Sequence, residues 1–167
     1  MSINEKGVLV LALCFCLLPF LAKGNFRNTI QKCLGDSLEV MTSNSELNKS
    51  PVIYSFVIRL DDWTTFDSST LISITFPSEY QSILPATPEC DDGNTPLSCS
   101  FTGRILTISG YFQAGESERT ITFRMTNAWN PSKTGPTSAF SGSISGTTIS
   151  VTGAYLTITE GQGNIEL

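Results

Sequence analysis

The chain has 167 residues, ten Lys and Arg against fifteen Asp and Glu, no histidine, and a net charge of −5. An acidic chain with scattered cations has no electrostatic footprint for phosphate backbones or anionic membrane surfaces, which sets nucleic-acid binding aside. The absence of His removes the commonest general base and metal ligand, so an enzyme is not expected, and neither is a cofactor.

The N-terminus reads MSINEKGVLVLALCFCLLPFLAKGN, with Lys6 ahead of an apolar run from Val8 to Leu21 and the small-residue pattern Ala22-Lys23-Gly24 behind it. That is the layout of a secretory signal peptide, residues 1–24. The run is 14 residues long, short of the roughly 20 that cross a bilayer, so no membrane span is expected. Cleavage after Gly24 leaves 167 − 24 = 143 residues, the size of one domain. Losing Glu5, Lys6 and Lys23, together +1, takes the charge to −6. Cys14 and Cys16 leave with the leader, and Cys33, Cys90 and Cys99 stay.

Gly35-Asp36-Ser37-Leu38 looks like the nucleophile block of the GDSL esterases and lipases. The serine of that family needs a histidine that this chain lacks, so the segment reads as a turn into a first strand, Ser37–Thr42. Asn48-Lys49-Ser50 is a glycosylation sequon, weakened by Pro51 behind it. In PVIYSFVIRL, Val52, Tyr54, Phe56, Ile58 and Leu60 share one face, and in TLISITFP Ile72, Ile74 and Phe76 oppose Ser73 and Thr75. The period is two, as in half-buried strands. Asp61, Asp62 and Asp67 follow the long strand as a first acidic cluster.

The segment PECDDGNTPLSC, residues 88–99, encloses an acidic turn between two cysteines. A zinc knuckle needs about four ligands, and a thioredoxin-type pair needs a C-x-x-C turn, whereas eight residues separate Cys90 from Cys99. An oxidising compartment then favours a local Cys90–Cys99 disulfide. Cys33 is left over, buried beside the first strand or free to form a homodimer. Asp91, Asp92 and Asn94 are the candidate calcium ligands, since calcium takes hard oxygens from loops, with turn chemistry as the plainer account. Glu89 belongs to the same cluster, and glycoside hydrolysis by paired carboxylates would ask for a cleft on a larger scaffold.

Period two continues through SCSF (98–101), RILTISG (Leu106, Ile108), RTITFRMTN (Ile121, Phe123, Met125), SAFSGSISG (Phe140, Ile144), TTISV (Ile149, Val151) and AYLTIT (Leu156, Ile158). Gly142-Ser143-Ile144-Ser145-Gly146 has Ile where a nucleophile elbow needs Ser. Pro77, Pro131 and Pro136 are placed just after strands, where they end pairing. The expected core is Phe56, Ile58, Ile72, Ile74, Ile108, Ile121, Phe123 and Phe140.

These elements make an all-β chain: one antiparallel Ig-like β-sandwich of eight or nine strands over residues 25–160, with a flexible tail, 161–167. Trp63, Tyr80 and Tyr111 fall at strand ends or loops and are candidate glycan contacts, while Trp129 is expected to plug an open end.

The order YSFVIRL, LISITFPSEY, a cysteine loop ending SCSF, RILTISGYF, then Asn130-Pro131 and Thr137-Ser138-Ala139-Phe140 resembles a module repeated in large secreted and surface proteins of ciliates and other protists. The resemblance covers roughly residues 33–160 and implies an extracellular or cell-surface structural role with no catalytic residue. The expected function is therefore a secreted, non-enzymatic structural or adhesive module with an extracellular protein or glycan as partner. The alternative is a lectin-like carbohydrate-binding domain. The chain is either a single-module protein or one piece of a longer one.

Overall fold

The computed structural model describes residues 35–147 and 150–161, so the segment expected to be a signal peptide, Cys33, Ile149 and residues 162–167 lie outside the described residues. The long alternating segments become β1 (Ser37–Thr42), β2 (Val52–Thr65) and β3 (Ile72–Thr75), followed by β4 (Glu89–Asp91), β5 (Pro96–Thr102) and β6 (Ile105–Ser109). Next come β7 (Ser117–Ala128), β8 (Gly135–Pro136), β9 (Phe140–Ile144), β10 (Ser150–Ala154) and β11 (Thr157–Ile158). The all-β class holds, and among the described residues the only helical element is a 3-10 turn, Ser78–Tyr80. No helix there is long and apolar enough to cross a membrane. Among the described residues eleven strands replace the expected eight or nine. The extra two, β4 and β8, are too short to show a period, and Pro136 sits within β8 rather than after a strand.

Nine strands form one antiparallel sheet in the order β1-β2-β7-β4-β5-β6-β3-β9-β10, and β8 pairs with β11 apart from it. The turning point is β5. Its first residues pair with β4 (Cys90↔Leu97), and its later ones pair with β6 (Cys99↔Ile108). The sheet thus curls over a single core, in which Phe56 of β2 meets Phe76 behind β3 and Phe140 of β9 at ring distances of 5.9 and 6.4 Å. The two outermost strands, β1 and β10, come to lie near each other.

All eight expected core residues are fully buried, which places the phase of each strand as the alternation read it. Phe123 stacks on Phe56 with centroids 5.1 Å apart. Rings dominate the centre, because Tyr54, Phe76, Tyr80 and Phe140 meet edge to face, a geometry favoured by the aromatic quadrupole. Where β2 meets the end of β7, Val52 pairs with Ala128 but Tyr54 with Met125, so β7 carries one extra residue. Asn127 absorbs that bulge at φ 61°, a left-handed conformation that Asn tolerates better than most residues.

β1 runs from a start opposite Arg59 to an end opposite Tyr54. The last described segment returns beside the loop after β1, where Thr159 bridges Glu46 in parallel and bonds Ser45 and Leu47.

Candidate functional site

The cysteine loop gathers acidic, amide and hydroxyl residues around a disulfide. Cys90 and Cys99 are joined by a disulfide, with Cα atoms 6.1 Å apart. The bond links β4 to the half of β5 that has already passed to β6, so it clamps the place where the sheet turns.

Within the loop, Asp91 Oδ1 accepts from Arg124 Nε at 2.8 Å and Nη2 at 2.6 Å, and from the Gly93 amide at 2.7 Å. Asp92 Oδ1 accepts from the amides of Asn94 (2.8 Å) and Thr95 (2.6 Å). The Thr95 and Asn94 amides hold the Asp92 carboxyl below its ordinary range. Gly93 sits at φ 102°, which only glycine adopts freely. At the expected calcium residues Asp91, Asp92 and Asn94, one carboxylate is thus paired with Arg124 and the other closes the turn. Among the described residues no group of three His, Cys, Asp or Glu is placed to hold a metal ion. An open groove of about 450 Å³ remains between Glu89, Asp91, Asn94, Pro96, Arg124 and Thr126.

Of the other acidic cluster, Asp61 and Asp62 lie within β2 rather than after it, because the strand runs on to Thr65, and Asp67 organises a turn. Asp67 Oδ1 accepts from the Ser69 amide and hydroxyl at 2.7 and 2.6 Å, and the Ser69 contacts hold its carboxyl below the usual range. Asp61 donates its amide to Asp36 Oδ1 at 2.9 Å. Ser37 opens β1, exposed and opposite Arg59.

The three aromatics proposed for glycan contact do not converge. Tyr80 is fully buried, a correction whose cause is its ring packing against Phe76, Tyr54 and Phe140. Burial pushes its hydroxyl up to about 12, with the Tyr54 hydrogen bond opposing and the Glu79 charge adding. Tyr111 is half-buried, and its hydroxyl accepts from the Thr122 amide at 3.1 Å, beyond the point where β4 stops pairing with β7. Trp63 alone is open, at 69% exposure. Trp129 is 52% exposed rather than a plug, because the side chain that fills that end is Asn130. Asn48 is exposed in the loop after β1, at φ 54°.

Asn130, 1% exposed, is the residue that sequence reasoning undervalued. Its Oδ1 accepts from the Tyr54 hydroxyl at 2.5 Å, and its Nδ2 donates to the carbonyls of Asn44 (2.8 Å) and Glu46 (2.7 Å). Its amide donates to Lys49 O at 2.9 Å. Burial raises the Tyr54 hydroxyl well above its ordinary value, with Tyr80 adding. Thr137, also buried, exchanges two hydrogen bonds with the backbone of Leu156. Glu79 Oε1 accepts from the Ser138 amide and hydroxyl at 2.7 and 2.8 Å. The Asn-Pro and Thr-x-x-Phe motifs thus hold loops to the core, and their signal was a polar residue flanked by strand on one side and proline or an aromatic on the other.

No family model matches the sequence, and no curated protein matches it. A solved structure described as BslA, a bacterial hydrophobin, superposes with a TM-score of 0.52 at 12% identity, over 75% of this chain and 99% of that one. At that identity the likeness concerns the fold alone.

Proposed function

We propose that this chain is a secreted, non-enzymatic structural or adhesive module, an Ig-like β-sandwich of the kind repeated in large secreted and surface proteins of ciliates and other protists. The observation that carries the reading is how its polar residues are spent. Asp91, Asp92, Asn130, Thr137 and Glu79 each hold a turn or loop to the sheet. A disulfide at the corner of the sheet fits an oxidising compartment, as does the leader-like N-terminus.

The experiment is expression of the full chain, tagged at its C-terminus, in a eukaryotic secretory host. Cleavage after Gly24, delivery to the medium or cell surface, and a Cys90–Cys99 peptide in non-reducing maps are expected. Retention in the cytoplasm with reduced cysteines would falsify the reading. So would turnover of short acyl esters by pure protein that disappears on Ser37→Ala.

A further inference from the structure

The outer faces of the two halves of the sheet differ in chemistry. On the β1-β2-β7-β4 half, Glu39 pairs with Arg59 and Asp91 with Arg124. The strands β3, β5, β6 and β9 contain no Asp, Glu, Lys or Arg at all, in a chain whose net charge is −5. Their outward positions are hydroxyl residues in register. Ser100 pairs with Thr107, Thr107 with Ser73, and Ser73 with Ser143, a row crossing four strands. A second row holds Thr102, Thr75 and Ser141, interrupted by Ile105, and Ser98 lies opposite Ser109. Among the described residues none of these hydroxyls has a hydrogen-bond partner. By contrast, the hydroxyls of Ser69, Thr137 and Ser138 are all engaged.

Neighbours in a row stand about 4.8 Å apart, and the rows about 6.7 Å apart along each strand. A hydroxyl both donates and accepts, so a partner that satisfies the array must itself donate and accept repeatedly along its length and carry no charge. A flat crystalline surface does not fit, because adjacent strands rotate by about 20–25°. A single flexible polymer chain can follow that twist. We propose that this outer face of β5-β6-β3-β9 is a docking surface for a chain of neutral polysaccharide. The proposal names the partner of the adhesive module above and rests on that reading. Each neutral hydrogen bond multiplies affinity only about twofold to tenfold, so binding grows with polymer length and short sugars are held weakly.

The test is retardation of the pure protein in native gels containing soluble long-chain β-glucan, mannan or glycol chitin, with alginate as the charged comparison. Retardation by at least one neutral polymer, unchanged in molar sodium chloride and absent with alginate, is expected. The triple substitution Thr107→Val, Ser73→Ala, Ser143→Ala should weaken it by about tenfold or more, while Thr120→Val with Thr122→Val on the opposite half should leave it intact. Should the triple variant melt early, Ser100→Ala at the exposed end of the row supplies the same comparison, with a loss of about twofold to tenfold. No retardation by any of the three neutral polymers overturns the proposal, as does retardation that survives the row substitutions or is abolished by salt. Secretion and disulfide pairing are read separately, so loss of this surface and loss of the module reading are distinguishable.

Discussion

The Tyr54 hydroxyl donates to Asn130 Oδ1 across 2.5 Å in the closed end of the core, and this bond joins the start of β2 to the segment leaving β7. Through its Nδ2, Asn130 carries the link on to the loop after β1. Removing one member of a buried hydrogen-bonded set leaves the others unsatisfied, at about 1–3 kcal/mol for each group. Asn130→Ala is expected to cost about 1–3 kcal/mol, since it removes the shortest partner of the Tyr54 hydroxyl and one of two donors to each of the Asn44 and Glu46 carbonyls. Tyr54→Phe should cost about 1–3 kcal/mol. Urea unfolding of the two variants and of the double variant gives the coupling, which should be strong because the residues touch.

Phe123 lies stacked on Phe56 at zero exposure. Phe123→Ala should lose about 3–5 kcal/mol, the transfer term plus the cavity it leaves. A loss under about 1 kcal/mol in the same urea experiment would show that the site collapses around the missing ring.

The Cys90–Cys99 bridge closes a short loop, with a sequence separation of nine. On the chain-entropy account it contributes about 2–3 kcal/mol. Cys90→Ser with Cys99→Ser should lower stability by that amount and leave the far half of the sheet folded. Non-reducing peptide maps of the native chain should return Cys90–Cys99 as the main product.

Two glutamates pull stability in opposite directions with pH. For Glu79, burial opposes ionisation, but its own backbone amide and the donors of Ser138 and Ser78 outweigh it and hold the carboxyl below the usual value. The stability this gives is present above the unfolded value near about 4.3 and is lost as pH falls through the lower folded value. For Glu118, burial and then the neighbouring Glu116 raise the carboxyl, so its folded form holds a proton longer and stability declines as pH rises through that interval. At pH 7, Glu79→Gln should therefore destabilise and Glu118→Gln should stabilise. Melting curves taken from acid to neutral pH would show the two variants diverging from the native chain in opposite senses.

Strand phase was legible wherever apolar residues alternate over five or more positions, as in Val52–Leu60 and Ile121–Met125, because burying one face fixes the register. β4 was not, since Glu89-Cys90-Asp91 offers one inward side chain between two acids. The ion pair at Asp91 was hidden for a related reason: its cation is Arg124, brought across by β4–β7 pairing that no local pattern encodes. Tyr80 was misplaced because Ser-Glu-Tyr after a proline looks like a surface loop, whereas the 3-10 turn rolls the ring inward against Phe76. The Ser and Thr of the outer face were visible strand by strand. Their alignment into rows was not, because cross-strand register is set by tertiary pairing.

The six residue pairs joining β1 to β2 form one uninterrupted antiparallel ladder. A pull directed along β1 would load all six together in shear, whereas a pull across the strand would peel them apart in turn.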